Sequence, residues 1–141
     1  MYANSIYLIV EDQDYRVELH ENHSILYVIW KRHLEGEALY EKYLNLLNIV
    51  VQFQPRKWLG NARAIYYTTL QDSRWIIESF IPQLIESSIT KYARLESPRS
   101  LLMLDSVRLL DKVKHLTQGI SDKFEFQFFT DEEQAIGWLT S

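Results

Sequence analysis

The apolar residues of this chain switch their spacing, and the places where they do so limit the fold more than any other feature. Through the first thirty residues they alternate: Ile6, Leu8 and Val10, then Tyr15, Val17 and Leu19 with Arg16, Glu18 and His20 between them, then Leu26, Val28 and Trp30. A period of two turns one side of a strand inward and leaves the other wet. The turn-like Glu21-Asn22-His23-Ser24 joins the last two runs, so the simplest connection is an antiparallel meander. From Glu37 to Phe53 the period becomes helical, with Leu39, Tyr43, Leu46 and Val50 beside a second row of Tyr40, Leu44, Leu47 and Val51. Two adjacent apolar rows predict a long, mostly buried helix.

Pro55 disfavours the helical region for Gln54 and stops that helix, after which Lys57-Trp58-Leu59-Gly60-Asn61 is short enough for a fourth strand, reached by a right-handed crossover. Asp72 is placed to cap a second helix, whose apolar face is Ile76, Ile77, Phe80, Ile81, Leu84 and Ile85. Pro82 within it predicts a kink between Glu78 and Pro82. Lys91 to Leu95 reads as a fifth, half-buried strand with Ala93 and Leu95 on one side, Tyr92 and Arg94 on the other. Ser97-Pro98-Arg99-Ser100 precedes a third helix, with the row Leu102, Leu109, Val113 and Leu116 and a left-handed cap at Gly119 before Ile120. Phe124, Phe126 and Phe128 alternate in a sixth strand. Thr130 and Glu133 then have capping-box spacing before a last helix bearing Ala135, Ile136, Trp138 and Leu139. The predicted fold class is mixed α/β: one domain over residues 1–141 in the order βββαβαβαβα, with an antiparallel start and a parallel remainder.

Composition removes several function classes. The net charge is -4, and the densest basic cluster, Lys31-Arg32-His33, is followed by Glu35 and Glu37, so nucleic acid is not an expected partner. The absence of cysteine removes disulfides, thiolate nucleophiles and thiolate-held metals. The start of the chain lacks a basic region, and the run Ile6 to Val10 is too short to span a bilayer, so a cytoplasmic protein without membrane insertion is expected. Gly36, Gly60, Gly119 and Gly137 are too widely separated to form a phosphate-binding or dinucleotide loop. No serine nucleophile elbow and no two-histidine zinc helix occurs, and no cofactor is expected. His20 and His23 bracket a turn with too few neighbouring ligands for a closed metal site.

The element order, together with Lys57-Trp58-Leu59, Trp75 ahead of Phe80-Ile81-Pro82, and the ending Phe129-Thr130-Asp131-Glu132-Glu133-Gln134-Ala135-Ile136-Gly137-Trp138-Leu139, resembles small bacterial STAS-like domains. These are the family of anti-sigma-factor antagonists and of the soluble domains of sulfate transporters. The resemblance covers nearly the whole chain and rests on core and cap residues. It implies a non-enzymatic interaction or regulatory domain and a phosphorylatable serine at the start of the helix after the fourth strand. Asp72-Ser73 holds that place, with Arg74 and Trp75 where the family has a second serine and a glycine.

The candidate binding residues are therefore Asn61, Arg63, Tyr66, Tyr67, Asp72 and Ser73, with Ser73 also the candidate phosphorylation site; no catalytic residue is assigned. A protein partner on this surface is the leading expectation. The alternative is a small-molecule or anion crevice at the end of the fourth strand, where ligands of open α/β sheets bind. Each residue also has a structural role open to it: Asp72 as a cap, Arg63 in an ion pair, the tyrosines as cover for the sheet edge. A homodimer through Phe129, Tyr92 or Trp30 on an incompletely covered face is a further expectation.

Overall fold

In the computed structural model, which describes residues 5–118 and 124–141, every strand lies beside the strand that precedes it in the sequence. β1 (Ile6–Glu11), β2 (Tyr15–His20) and β3 (Ile25–Trp30) form the antiparallel meander. β4 (Lys57–Asn61), β5 (Lys91–Leu95) and β6 (Glu125–Phe129) then extend it in parallel, in the sheet order β1-β2-β3-β4-β5-β6. The mixed α/β class and the order of elements agree with the expectation from periodicity.

The three parallel additions advance in one direction across the sheet. Right-handed crossovers then deliver all their helices to the same face. These are α1 (Gly36–Phe53), the stretch made of α2 (Leu70–Trp75), a π turn (Ile76–Phe80) and α3 (Ile81–Ile85), and α4 (Leu102–Thr117). Their buried residues, among them Tyr43, Val50, Phe80, Leu84, Leu109 and Val113, share one core with Trp58, Tyr92 and Phe126 of the strands. Among the described residues the opposite face is covered by α5 (Glu132–Leu139), which sets Ala135 and Leu139 on Ile25, Tyr27, Leu59, Ala93 and Leu95. At the antiparallel end that face is wet: the Arg16 guanidinium bridges Glu18 at 2.5 Å and Glu11 at 2.7 Å, and His20 Nε2 meets Glu18 at 2.8 Å.

Several details differ from the sequence reading. The second apolar row of α1 is only partly used, since Leu44 and Val51 are 46% and 69% exposed. The helix lies on a single layer and can bury one stripe against it. β5 is not half-buried but central, between β4 and β6 with helices on both faces, so Tyr92, Ala93, Arg94 and Leu95 are all buried. Trp30 and Tyr92 therefore belong to the core and offer no face for self-association, while Phe129 is half-buried beside Trp138.

The starts of α2 and α5 are capped by residues other than the expected Asp72 and Thr130. Thr69 caps α2, its Oγ1 accepting from the Asp72 amide at 3.0 Å, and Asp131 caps α5, accepting from the Gln134 amide at 3.0 Å. The irregularity ahead of Pro82 falls where expected, as the π turn in which the Ile81 N–H reaches the carbonyl of Ile76. Proline has no N–H to continue the ladder and its ring crowds the carbonyl four residues back, so the widened turn absorbs it. The cap expected at Gly119 lies outside the described residues.

Candidate functional site

The parallel strands end on one rim of the sheet, and the segments that leave them carry every candidate residue. The structure distributes those residues over three neighbouring clusters rather than one crevice.

Asn61 closes β4 on the α5 face and is 7% exposed. Its Nδ2 donates to the Tyr27 hydroxyl at 3.3 Å, and its Oδ1 accepts from the Arg63 backbone N–H at 3.3 Å and from Arg63 Nε at 3.1 Å. The Tyr27 hydroxyl donates to Glu132, and Arg63 Nη2 lies 3.6 Å from the same carboxylate. Burial, with the Glu132 hydrogen bond behind it, pushes the Tyr27 hydroxyl up to about 12. Asn61 and Arg63 thus face each other and tie the first turn of α5 to the sheet.

Tyr66 and Tyr67 stand on the segment between β4 and α2, 61% and 41% exposed. The Tyr66 backbone N–H donates to His33 Nδ1 at 3.1 Å, and the two tyrosine rings flank the imidazole at 5.6 and 4.6 Å. With Nδ1 accepting, the ring proton is assigned to Nε2, which lies 2.8 Å from Glu35. The Tyr67 hydroxyl also donates to Glu35. That hydrogen bond, and the one from His33, hold the exposed Glu35 carboxyl below the usual range.

Asp72 and Ser73 are buried, at 3% and 2% exposure. The Asp72 carboxylate is turned away from its own helix start: Oδ2 accepts from the Gly36 N–H at 3.1 Å and Oδ1 from the Tyr40 hydroxyl at 2.6 Å. Gly36 opens α1 with φ of +61°, a conformation that a side chain rarely adopts. Asp72 therefore fixes the start of α1, and Tyr40, stacked on Trp75 at 4.4 Å, has its hydroxyl pushed up to about 12 by the Asp72 hydrogen bond and then by burial. Ser73 Oγ accepts from Arg108 Nη1 of α4 at 3.5 Å.

A fourth cluster was not among the candidates. Arg94, 3% exposed in β5, donates to Asp105 at 2.9 Å and to Ser106 Oγ at 3.2 Å, and Ser106 Oγ donates to Glu96 at 2.7 Å. Burial raises Glu96, with the Ser106 and Arg94 contacts opposing it, and leaves Asp105 Oδ1 without a partner. A serine held by a carboxylate is a nucleophile-and-base geometry, but Ser106 is 0% exposed and Glu96 1%, so no substrate reaches it. Arg94 also borders a cavity of about 10 Å³ with Trp30, Leu39, Tyr43, Ile76 and Leu102, the room of about one water molecule. A cation in the middle of Tyr92-Ala93-Arg94-Leu95 was the signal for this cluster, because a charge inside a central strand needs a buried partner.

The same rim holds an unusual concentration of exposed apolar side chains. Leu70 at 74%, Leu104 at 71%, Leu101 at 65%, Tyr66 at 61%, Val107 at 54% and Met103 at 48% come from the approach to α2 and its first residue, and from the start of α4. Two contacts hold these segments together: the Leu101 N–H donates to the Tyr66 carbonyl at 2.8 Å, and Arg108 reaches Ser73. Among the described residues no group of three or more His, Cys, Asp or Glu is placed to hold a metal ion, and no helix is long and apolar enough to cross a membrane.

Neither a protein-family model nor a curated protein matches the chain. Solved structures do match, among them one that aligns over 99% of this chain and 97% of its own, with a TM-score of 0.50 at 16% identity. It is an uncharacterised protein of the DUF3478 family from Shewanella loihica PV-4, described as having a SpoIIAA-like fold. The fold here is SpoIIAA-like. This is the architecture that the STAS resemblance implied. At this level of identity the SpoIIAA-like likeness speaks to the arrangement of sheet and helices, and the site has to be argued from its own residues.

Proposed function

We propose that this SpoIIAA-like domain is a non-enzymatic interaction or regulatory module, working in the cytoplasm, that docks a protein partner on the rim formed by Tyr66, Leu70, Leu101 and Leu104. One observation carries the reading: among the described residues, half of the exposed large apolar side chains stand on this rim, on two segments bonded to each other. Contiguous exposed apolar surface is what a monomeric protein otherwise avoids. The polar candidates support the rim from beneath. Asp72 fixes the start of α1, His33 and Glu35 hold the two tyrosines, and Asn61 with Arg63 secures α5. Ser73 enters as a switch only when α2 opens, since its hydroxyl is buried under Arg108.

A photo-crosslinking residue placed at Leu104 or Leu70 in the full chain, and at the exposed Gln134 of α5 as a control, tests this in the cell. The rim positions are expected to give one discrete adduct and Gln134 none. Leu104→Lys should cut the Leu70 adduct about tenfold, the cost of losing one anchoring side chain. An adduct of twice the chain's mass identifies a second copy as the occupant, and equal labelling at rim and control positions overturns the reading.

A further inference from the structure

The charges around the rim narrow the chemistry of what it binds. The chain carries a net charge of -4, and among the described residues Arg16, Lys31, Arg32, Lys42, Arg63 and Arg94 each lie within 4.0 Å of a side-chain carboxylate, while the other lysines and arginines do not, the three on this rim among them. Arg74, Arg99 and Arg108 have no such partner among the described residues, and all three border the exposed leucines. Leu70 and Arg74 are one turn apart on α2, and Leu104 and Arg108 one turn apart on α4, so each helix presents an apolar anchor followed by an arginine. The Arg108–Ser73 contact at 3.5 Å sets the two ridges side by side, with Arg99 just ahead of α4.

We infer that the occupant of this rim is an acidic amphipathic helix of a protein partner, with its apolar side on Leu70, Leu101 and Leu104 and its carboxylates on Arg74, Arg99 and Arg108. The inference rests on the docking reading above and adds the partner's charge. A lipid surface is the other body that leucines and cations can meet. The protein segment is favoured because every unmatched cation on the rim is arginine, whose fork fits carboxylates two bonds at a time. Tyr66 and Met103 beside them complete the side-chain set enriched at protein interfaces.

Two synthetic peptides of about 18 residues, long enough to form a helix on a groove, separate the alternatives. They share one leucine face and differ only in a polar face of glutamate or of lysine. Binding to the full chain is followed by fluorescence anisotropy, with vesicles of phosphatidylcholine and phosphatidylglycerol as the third arm. The glutamate peptide should bind about tenfold more tightly or better, and added salt should erode that margin. Changing Arg74→Gln, Arg99→Gln and Arg108→Gln together should equalise the peptides, and Leu104→Ser should weaken both while leaving the circular dichroism unchanged. Equal affinity for the two peptides in the unaltered chain, or tighter binding of the lysine peptide, overturns the acidic chemistry but leaves a docking rim. Binding of vesicles with neither peptide bound overturns the rim as a protein site as well.

Discussion

Glu96 and Arg94 show what a single buried charge demands. Arg94 is held by Asp105 and Ser106, and Glu96 shares the same serine, so one cation serves two carboxyl groups at the join of β5 and α4. Burial raises Glu96 from its ordinary value. An acid whose affinity for protons is higher in the folded state favours folding below its unfolded range and withdraws that help as the pH rises through the folded value. Replacing Glu96→Gln keeps an acceptor for Ser106 and removes the titration. The variant should melt above the parent at pH 8, with the difference closing at pH 4, and thermal melts at both values check it. The sequence displayed Arg94 inside a strand but not its partners, because Asp105 meets it, and Ser106 links it to Glu96, only once α4 folds back on β5. Asp72 teaches the same lesson in reverse. Its position at a helix start was legible, but its carboxylate is used by Tyr40 and Gly36, far off in sequence and brought near by tertiary packing.

At the level of elements, hydrophobic period was a good guide to where strands and helices lie and a weaker one to where they begin. Thr69 and Asp72 are both able to cap α2, and Thr130 and Asp131 both able to cap α5. The choice falls to whichever residue is free of other partners and sits in extended backbone, as Thr69 does at ψ of 159° and Asp131 at ψ of 126°. Thr69→Ala should therefore cost about 1 kcal/mol. Asp72→Ala should cost more, about 1–3 kcal/mol, because the Gly36 N–H and the Tyr40 hydroxyl both lose their acceptor. Urea unfolding of the two variants against the parent measures the difference, and a larger loss for Thr69→Ala would contradict the assignment of roles. The burial of β5 and the exposure of Leu44 and Val51 were beyond local periodicity, since both depend on how many layers cover an element. The scatter of the candidate site has the same origin: Asn61, Tyr67 and Ser73 leave the rim of the sheet toward different helices.

For the whole molecule, the decisive feature is that the sheet is wound in one direction. Among the described residues, three crossovers load one face with α1 to α4 and leave the other to α5. That makes the last helix a structural necessity despite its eight residues. Leu139, fully buried against the sheet, anchors it, and Leu139→Ala should cost about 2–5 kcal/mol by opening a cavity beneath α5. Chemical denaturation of that variant tests the point, and a cost no larger than that of an exposed leucine such as Leu104 would show that α5 is dispensable cover. The element order was legible from the sequence, and with it the winding, because each parallel strand follows a helix. The sequential order of the strands also sets a timetable for a chain leaving the ribosome. Each strand can join a sheet whose edge has already emerged, so pairing need not wait for a distant segment. The exception is the face beneath α5. Its apolar residues Ile25, Tyr27 and Leu59 stay bare until more than seventy further residues have been translated, and a nascent chain of this kind has most need of a chaperone during that interval.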